Sequence, residues 1–152
     1  MSSKLLFMKK LLIVFTIFSS IYSTNSFAQD KTPAIVSEAF QTSFTNTKEV
    51  TWTEVNDLYK AAFTSDGQSL YAFFNADGSL VASAREVSLL QLPLSLQNDF
   101  RKNYHDYTAT NLFEVDNDGG STYYVTVEGN SAKLQLKSTS YGTWDAYKKS
   151  RI

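Results

Sequence analysis

From Leu58 to Val81, apolar and polar residues alternate with a period of two, and small turn signals break the alternation twice. Tyr59, Ala61 and Phe63 alternate with Leu58, Lys60 and Ala62 as far as Ser65-Asp66-Gly67-Gln68. Leu70, Ala72 and Phe74 then alternate with Tyr71 and Phe73 as far as Asn75-Ala76-Asp77-Gly78, and Leu80-Val81 opens a third run. Successive side chains of a strand point to opposite faces, and Asp-Gly supplies the positive φ angles that a tight hairpin needs. The stretch therefore predicts an antiparallel meander.

The period changes on either side of it. Thr32-Pro33 is a helix start, with Pro tolerated in the first turn. Val36, Ala39, Phe40 and Phe44 then recur at helical spacing, which predicts a helix ending near Asn46. Val50 and Trp52 alternate with threonines in a strand over Glu49–Val55, and Asn56-Asp57 turns it into the meander. A fourth strand is expected over Leu80–Val87. Leu92-Pro93 opens a second helix with Leu96, Phe100, Tyr104 and Tyr107 on one face. Strands follow over Thr108–Asp116, with Phe113 and Val115 on one side, then Thr122–Glu128, then Ala132–Lys137 with Leu134 and Leu136 inward. Asp118-Gly119-Gly120 and Gly129-Asn130 are the turns between them. A last strand over Thr143–Lys148 precedes a basic tail, read as a solvated end.

The two halves echo each other. Phe40-x-x-x-Phe44 recurs 60 residues on as Phe100-x-x-x-Tyr104, Tyr59–Phe63 recurs 64 on as Tyr123–Val127, and Leu80 recurs 64 on as Trp144. This pattern predicts an internal duplication, with repeat one at about 33–88 and repeat two at about 92–149. The fold class expected is α+β: tandem helix-plus-meander repeats forming one continuous antiparallel sheet of about eight strands, with two helices packed on one face.

Phe40 and Phe44, then Val50-x-Trp52, Tyr59-x-Ala61-x-Phe63, Tyr71-x-Phe73 with Gly78, and Leu92-Pro93 before an aromatic helix form a series. In this series the chain resembles the PepSY-like, beta-lactamase-inhibitor-like family of exported Bacteroidetes proteins. The resemblance spans about Pro33 to Lys148 and rests on core and turn residues. It implies a tandem helix-and-sheet repeat, a periplasmic or extracellular location, and a binding rather than a catalytic role. It transfers no inhibitory residue.

Composition narrows the function classes. Lys4, Lys9 and Lys10 precede the apolar run Leu11–Ile21, and Ser26-Phe27-Ala28 offers small residues at a cleavage site. These are the parts of a secretory signal peptide over 1–28, leaving a single domain over 29–152. The run is too short and too interrupted by Thr16, Ser19 and Ser20 for a membrane span, so no membrane insertion is expected after cleavage. The leader holds three of the 14 basic residues and none of the 15 acidic ones, so the mature chain is acidic. An acidic domain is a poor partner for nucleic acid, whose affinity rests on Lys and Arg at phosphates. The absence of Cys excludes disulfides and thiol chemistry.

No catalytic constellation emerges, and the chain reads as a non-enzyme without cofactor or metal. His105 is the only histidine; it is read as a mid-helix residue, and there is no nucleophile elbow for it to serve. Glu114-Val115-Asp116-Asn117-Asp118-Gly119 resembles a calcium loop but fails its register in either frame, which favours a hairpin turn. The more informative feature is the sheet face turned away from the helices. If Leu70, Ala72 and Phe74 face the core, then Tyr71 and Phe73 face outward, with Lys60, Arg85, Leu112, Tyr124, Thr126, Lys133 and Gln135. Aromatic rings among Lys, Arg and Gln suit a recognition surface. The residues expected to bind a protein or peptide partner are Tyr71, Phe73, Tyr124, Lys60 and Arg85. A loop, the C-terminal segment or a second copy covering these rings would suit the same pattern, as would a reversal of the two faces. The alternative from another class is an envelope sensor that binds a small molecule or ion through its acidic turns.

Overall fold

In the computed structural model the described residues are 32–151, so the leader read at 1–28 lies outside them. They form two helices, a short 3-10 turn and eight strands that lie in chain order in one open antiparallel sheet. In order these are α1 (Ala34–Ser43), β1 (Thr47–Val55), β2 (Leu58–Ser65), β3 (Gln68–Phe74) and β4 (Leu80–Glu86). After the 3-10 turn at Leu89–Gln91 come α2 (Leu94–Asn103), β5 (Thr108–Asn117), β6 (Gly120–Glu128), β7 (Ala132–Ser138) and β8 (Trp144–Arg151). By internal contacts the chain divides after Val81 into two units, each with its own core.

In the first unit, Pro33 rather than Thr32 occupies the cap of α1. Its extended ψ of 142° turns the chain in, and its carbonyl accepts the N–H groups of Val36 and Ser37 at 3.0 and 3.1 Å. The helix ends at Ser43, before the expected Asn46: Phe44 is already extended, and Asn46 reverses the chain at φ 55°. Phe40 is the hub of the core. Its ring lies 5.4 Å from Phe44 and Trp52, 5.0 Å from Phe63 and 6.3 Å from Phe74, with the last three edge-on. Edge-to-face geometry sets the positive rim of one ring against the negative face of the next. Ala61 and Ala72 pair in register beneath this cluster, and both are fully buried.

The hairpins have the predicted turn chemistry. Asn56 and Asp57 both have positive φ, as do Asp66 and Gly67, so both links match the twist of their strands. A bulge between Lys48 and Thr51, with Glu49 at φ 55°, starts β1 two residues earlier than expected. At the β3–β4 turn Gly78 has φ 83°, and a Cβ there would sit 3.0 Å from the carbonyl oxygen of Ile35 on α1.

The second unit repeats the plan. Pro93 caps α2, whose buried residues Leu96 and Phe100 meet Leu112, Val125, Val127, Leu134, Leu136 and Trp144. The Trp144 indole N–H donates to the Leu96 carbonyl at 3.0 Å, and its backbone N–H donates to Asp99 Oδ2 at 3.0 Å. These bonds fasten the start of β8 to the helix. Gly142 (φ 75°) abuts Ser95, whose side chain a Cβ would strike. Gly142 follows Gly78 by 64 residues and Ser95 follows Ile35 by 60, the same two offsets seen between the halves of the sequence. The basic tail is strand as well as solvated: β8 runs to Arg151, its last residues pair with Ala132–Gln135, and its side chains from Asp145 on are exposed.

Two alanine substitutions separate conformational cost from steric cost. Gly67→Ala meets open space and loses only its left-handed backbone, about 1 kcal/mol. Gly78→Ala adds a backbone clash with α1 and should cost roughly 2–3 kcal/mol. Denaturant unfolding of both variants checks this; equal losses would show that α1 does not need the close approach.

Candidate functional site

Each unit's strands have an inner face against the unit's helix and an outer face away from it. In the first unit, β2 and β3 put Tyr59, Ala61, Phe63, Leu70, Ala72 and Phe74 inward, which leaves Leu58, Lys60, Ala62, Tyr71 and Phe73 on the outer face. Tyr71 and Phe73 therefore have the expected direction. They are not bare, however: Phe73 is fully buried and Tyr71 half-buried, while Leu58 is 4% and Lys60 8% exposed. Lys60 stands between Thr53 and Phe73 in the ladder, and its Nζ lies 4.7 Å from the centre of the Tyr71 ring. Burial lowers its pKa below the ordinary lysine value.

On the outer face of the second unit, Tyr124 stands between Phe113 and Lys137, and Thr126 pairs with Gln135. Tyr124 is buried; Tyr147 of β8 meets it edge-on at 6.3 Å, and Lys137 Nζ lies 5.7 Å from its ring centre. The C-terminal strand thus contributes cover for Tyr124. Lys60–Phe73 and Tyr124–Lys137 are cross-strand pairs at the 64-residue offset with residue types exchanged. Each unit therefore sets a lysine beside an aromatic ring on its outer face. Lys133 pairs with Glu128 at 2.8 Å across β6 and β7.

Two residues assigned outward by sequence face inward. Leu112 belongs to the inner core, and Arg85 pairs in register with Glu114, two residues from Leu112 on the same side. Phe113 and Val115 occupy the outer face instead. The reason is local: Leu112, Phe113 and Val115 are all apolar, and a bulge between Ala109 and Asn111 resets the phase, so alternation could not choose the side. The signal for Arg85 was a carboxylate at an apolar position. Glu114 is buried, accepts a bond from Arg85 Nε at 2.7 Å, and accepts the Tyr123 hydroxyl at 2.8 Å. Burial first, and then the bond to Glu114, pushes the Tyr123 hydroxyl up to about 12.

The remaining candidates have structural roles. His105 lies in the turn after α2, not within the helix; it is exposed and 3.2 Å from Asp106. At the acidic turns, Asp77 accepts the Ser79 N–H and hydroxyl, Asn117 accepts the Gly119 N–H, and Asp116 accepts the Ser121 hydroxyl. These acceptors are thus employed in shaping their own hairpins.

No protein-family model matches the chain, and no curated protein does. Solved structures do. A DUF2874 family protein from Bacteroides ovatus matches with TM-score 0.70 at 23% identity, over 81% of this chain and 89% of its own. A Bacteroides eggerthii protein provisionally assigned to the periplasm matches with TM-score 0.70 at 19% identity, over 79% and 88%. A BLIP-like protein from Bacteroides fragilis matches with TM-score 0.65 at 18% identity, over 79% and 86%. The chain has the fold of these Bacteroides proteins. The likeness agrees with the inhibitor-like resemblance read from core and turn residues, and at these identities it is a statement about fold.

Within this fold, the Glu114 cluster predicts an alkaline signature. Tyr123 ionises near its ordinary value when unfolded and near 12 when folded, so the unfolded state loses its proton first. This contribution to stability is complete below about pH 10 and is lost as pH rises through 12. Tyr123→Phe should flatten the fall in melting temperature over that window, and absorbance titration should lose one late-ionising tyrosine.

Proposed function

We propose that this protein is an exported, periplasmic, non-enzymatic module that binds a protein or peptide through the outer face of its sheet. The observation that carries the reading is the composition of that face. Where one side of an antiparallel sheet meets only water, its residues are polar. Here Leu58, Tyr71 and Phe73 in one unit, and Phe113, Val115 and Tyr124 in the other, stand on the side away from their own unit's helix. Such rings, with a lysine beside a ring in each unit, are the materials of a contact surface.

Occlusion is the mode of action that these parts fit: the half-buried Tyr71 ring enters a hollow on the partner, and the Asp66-Gly67 and Asp118-Gly119 hairpin tips add contacts. The periplasmic location follows the B. eggerthii neighbour and the leader-like N-terminus. The BLIP-like neighbour supports a binding role of the inhibitor kind. Arg85 leaves the list of proposed contacts because its guanidinium is committed to Glu114.

Affinity capture from the envelope fraction of the source cell, read by mass spectrometry, tests this. The exported chain should retain a discrete protein. Tyr71→Ala should weaken that capture about 30-fold, a typical loss for a central aromatic anchor, with circular dichroism and melting unchanged. Capture that is indifferent to Tyr71→Ala would sink the reading, as would a variant that no longer folds, because the ring would then be core.

A further inference from the structure

The outer face of the first unit holds one charged group that its surroundings leave without an opposite charge. Lys60 lies in the middle of β2 and is only 8% exposed. Among the described residues of this unit, Lys48 and Lys60 are the only cations, against Glu38, Glu49, Glu54, Asp57, Asp66 and Asp77. Even so, no described carboxylate lies within ion-pair distance of Lys60; its ammonium lies 4.7 Å from the centre of the Tyr71 ring. In the second unit Arg85 and Lys133, both more exposed than Lys60, are paired with Glu114 and Glu128. Lys137, like Lys60, lies over a ring, 5.7 Å from the centre of Tyr124. A ring face attracts an ammonium, but less than the water it replaces. Lys60 thus keeps an unspent demand for an anion, between apolar walls formed by Phe73 and Leu58.

We propose that Lys60 is a carboxylate-recognition point, taking one Asp or Glu side chain of a bound peptide segment whose neighbouring side chains are apolar. This rests on the reading that the outer face binds a polypeptide, and it names the chemistry of that partner. The surrounding unit is acidic, so an acidic segment gains nothing from general attraction. A single paired charge in an apolar setting acts on register and selectivity: a segment with its carboxylate elsewhere leaves two charges desolvated and apart. The Tyr71 ring holds the ammonium stem in place, so less freedom is lost when the pair forms.

The test pans the exported chain against phage-displayed short peptides, then compares synthetic binders with their Glu→Gln or Asp→Asn counterparts. Recovered peptides should carry one acidic residue among apolar ones, and its amide counterpart should bind at least about tenfold more weakly. Lys60→Met should erase that difference while retaining the apolar part of the binding. Equal binding of acid and amide, or an acid preference that survives Lys60→Met, overturns the role of Lys60 and leaves the face reading intact. Failure to recover any peptide sensitive to Tyr71→Ala removes the face reading itself. If the Met variant does not fold, NMR titration of Lys60 in the unsubstituted chain decides instead: its pKa should rise with the acidic peptide and stay put with the amide, and no difference overturns the proposal.

Discussion

A β-strand has two faces, and consecutive residues must occupy both. The protein depends on how it meets that constraint. Among the described residues each unit has one α-helix, which covers one face of that unit's strands, yet the strands are not polar on the other. Phe73 and Phe74 are adjacent, point to opposite faces, and are both fully buried. Tyr124 and Val125 repeat this in the second unit, and so do Leu112 and Phe113. The inner residues have an evident reason in Phe40 and Leu96–Phe100, the helical side chains they pack against. The outer residues are of the same kind, and Phe73, Phe113 and Tyr124 are buried as well.

Electrostatics follow from the same arrangement. An apolar face tolerates a charge only if something replaces the water it gives up, at a cost of several kcal/mol per ion. Glu114 meets that cost on the inner side of the second unit with two hydrogen-bond donors, the Arg85 guanidinium and the Tyr123 hydroxyl. Its partners come from the strands on either side, so the network also holds β4, β5 and β6 in register. Lys60 has a single ring, worth about 1–2 kcal/mol. The one is a completed structural network and the other is not.

Much of the fold was legible because its signals are local and redundant. Asp-Gly and Asn-Asp turns, period-two strands and two aromatic helices each specify themselves, and the helix-plus-meander plan is readable twice. The direction of Tyr71, Phe73 and Tyr124 was legible for the same reason, since Ala61, Ala72 and Phe74 settle the phase of β2 and β3. Phase failed where three of four residues were apolar and a bulge intervened, and Arg85 and Leu112 were misplaced together. The helix caps failed by one position because proline can precede a helix as readily as open it. Burial of the outer rings was legible only as an open alternative, in which the C-terminal segment was one candidate cover: direction is a property of one strand, whereas cover depends on what lies across it. The strand nature of Lys148–Arg151 escaped for a related reason, because exposed basic side chains conceal a backbone paired on one edge.

The placement of the described polar groups follows the strands. Catalysis needs titratable side chains converging on a volume that a substrate can enter, with environments that push their pKa values apart. The buried polar groups here are instead laid out along strands. Glu114 is consumed by Arg85 and Tyr123, and Thr126 and Gln135 face each other across a ladder. The solvent-facing acids close turns, and the lone histidine sits in an exposed loop beside Asp106. Lys60, over the Tyr71 ring, has no described carboxylate within ion-pair distance. Area provides affinity by excluding water, and a lone charge within it provides selectivity by penalising the wrong partner. Within each unit, cross-strand hydrogen bonds fix the spacing of rings and charge along the ladder.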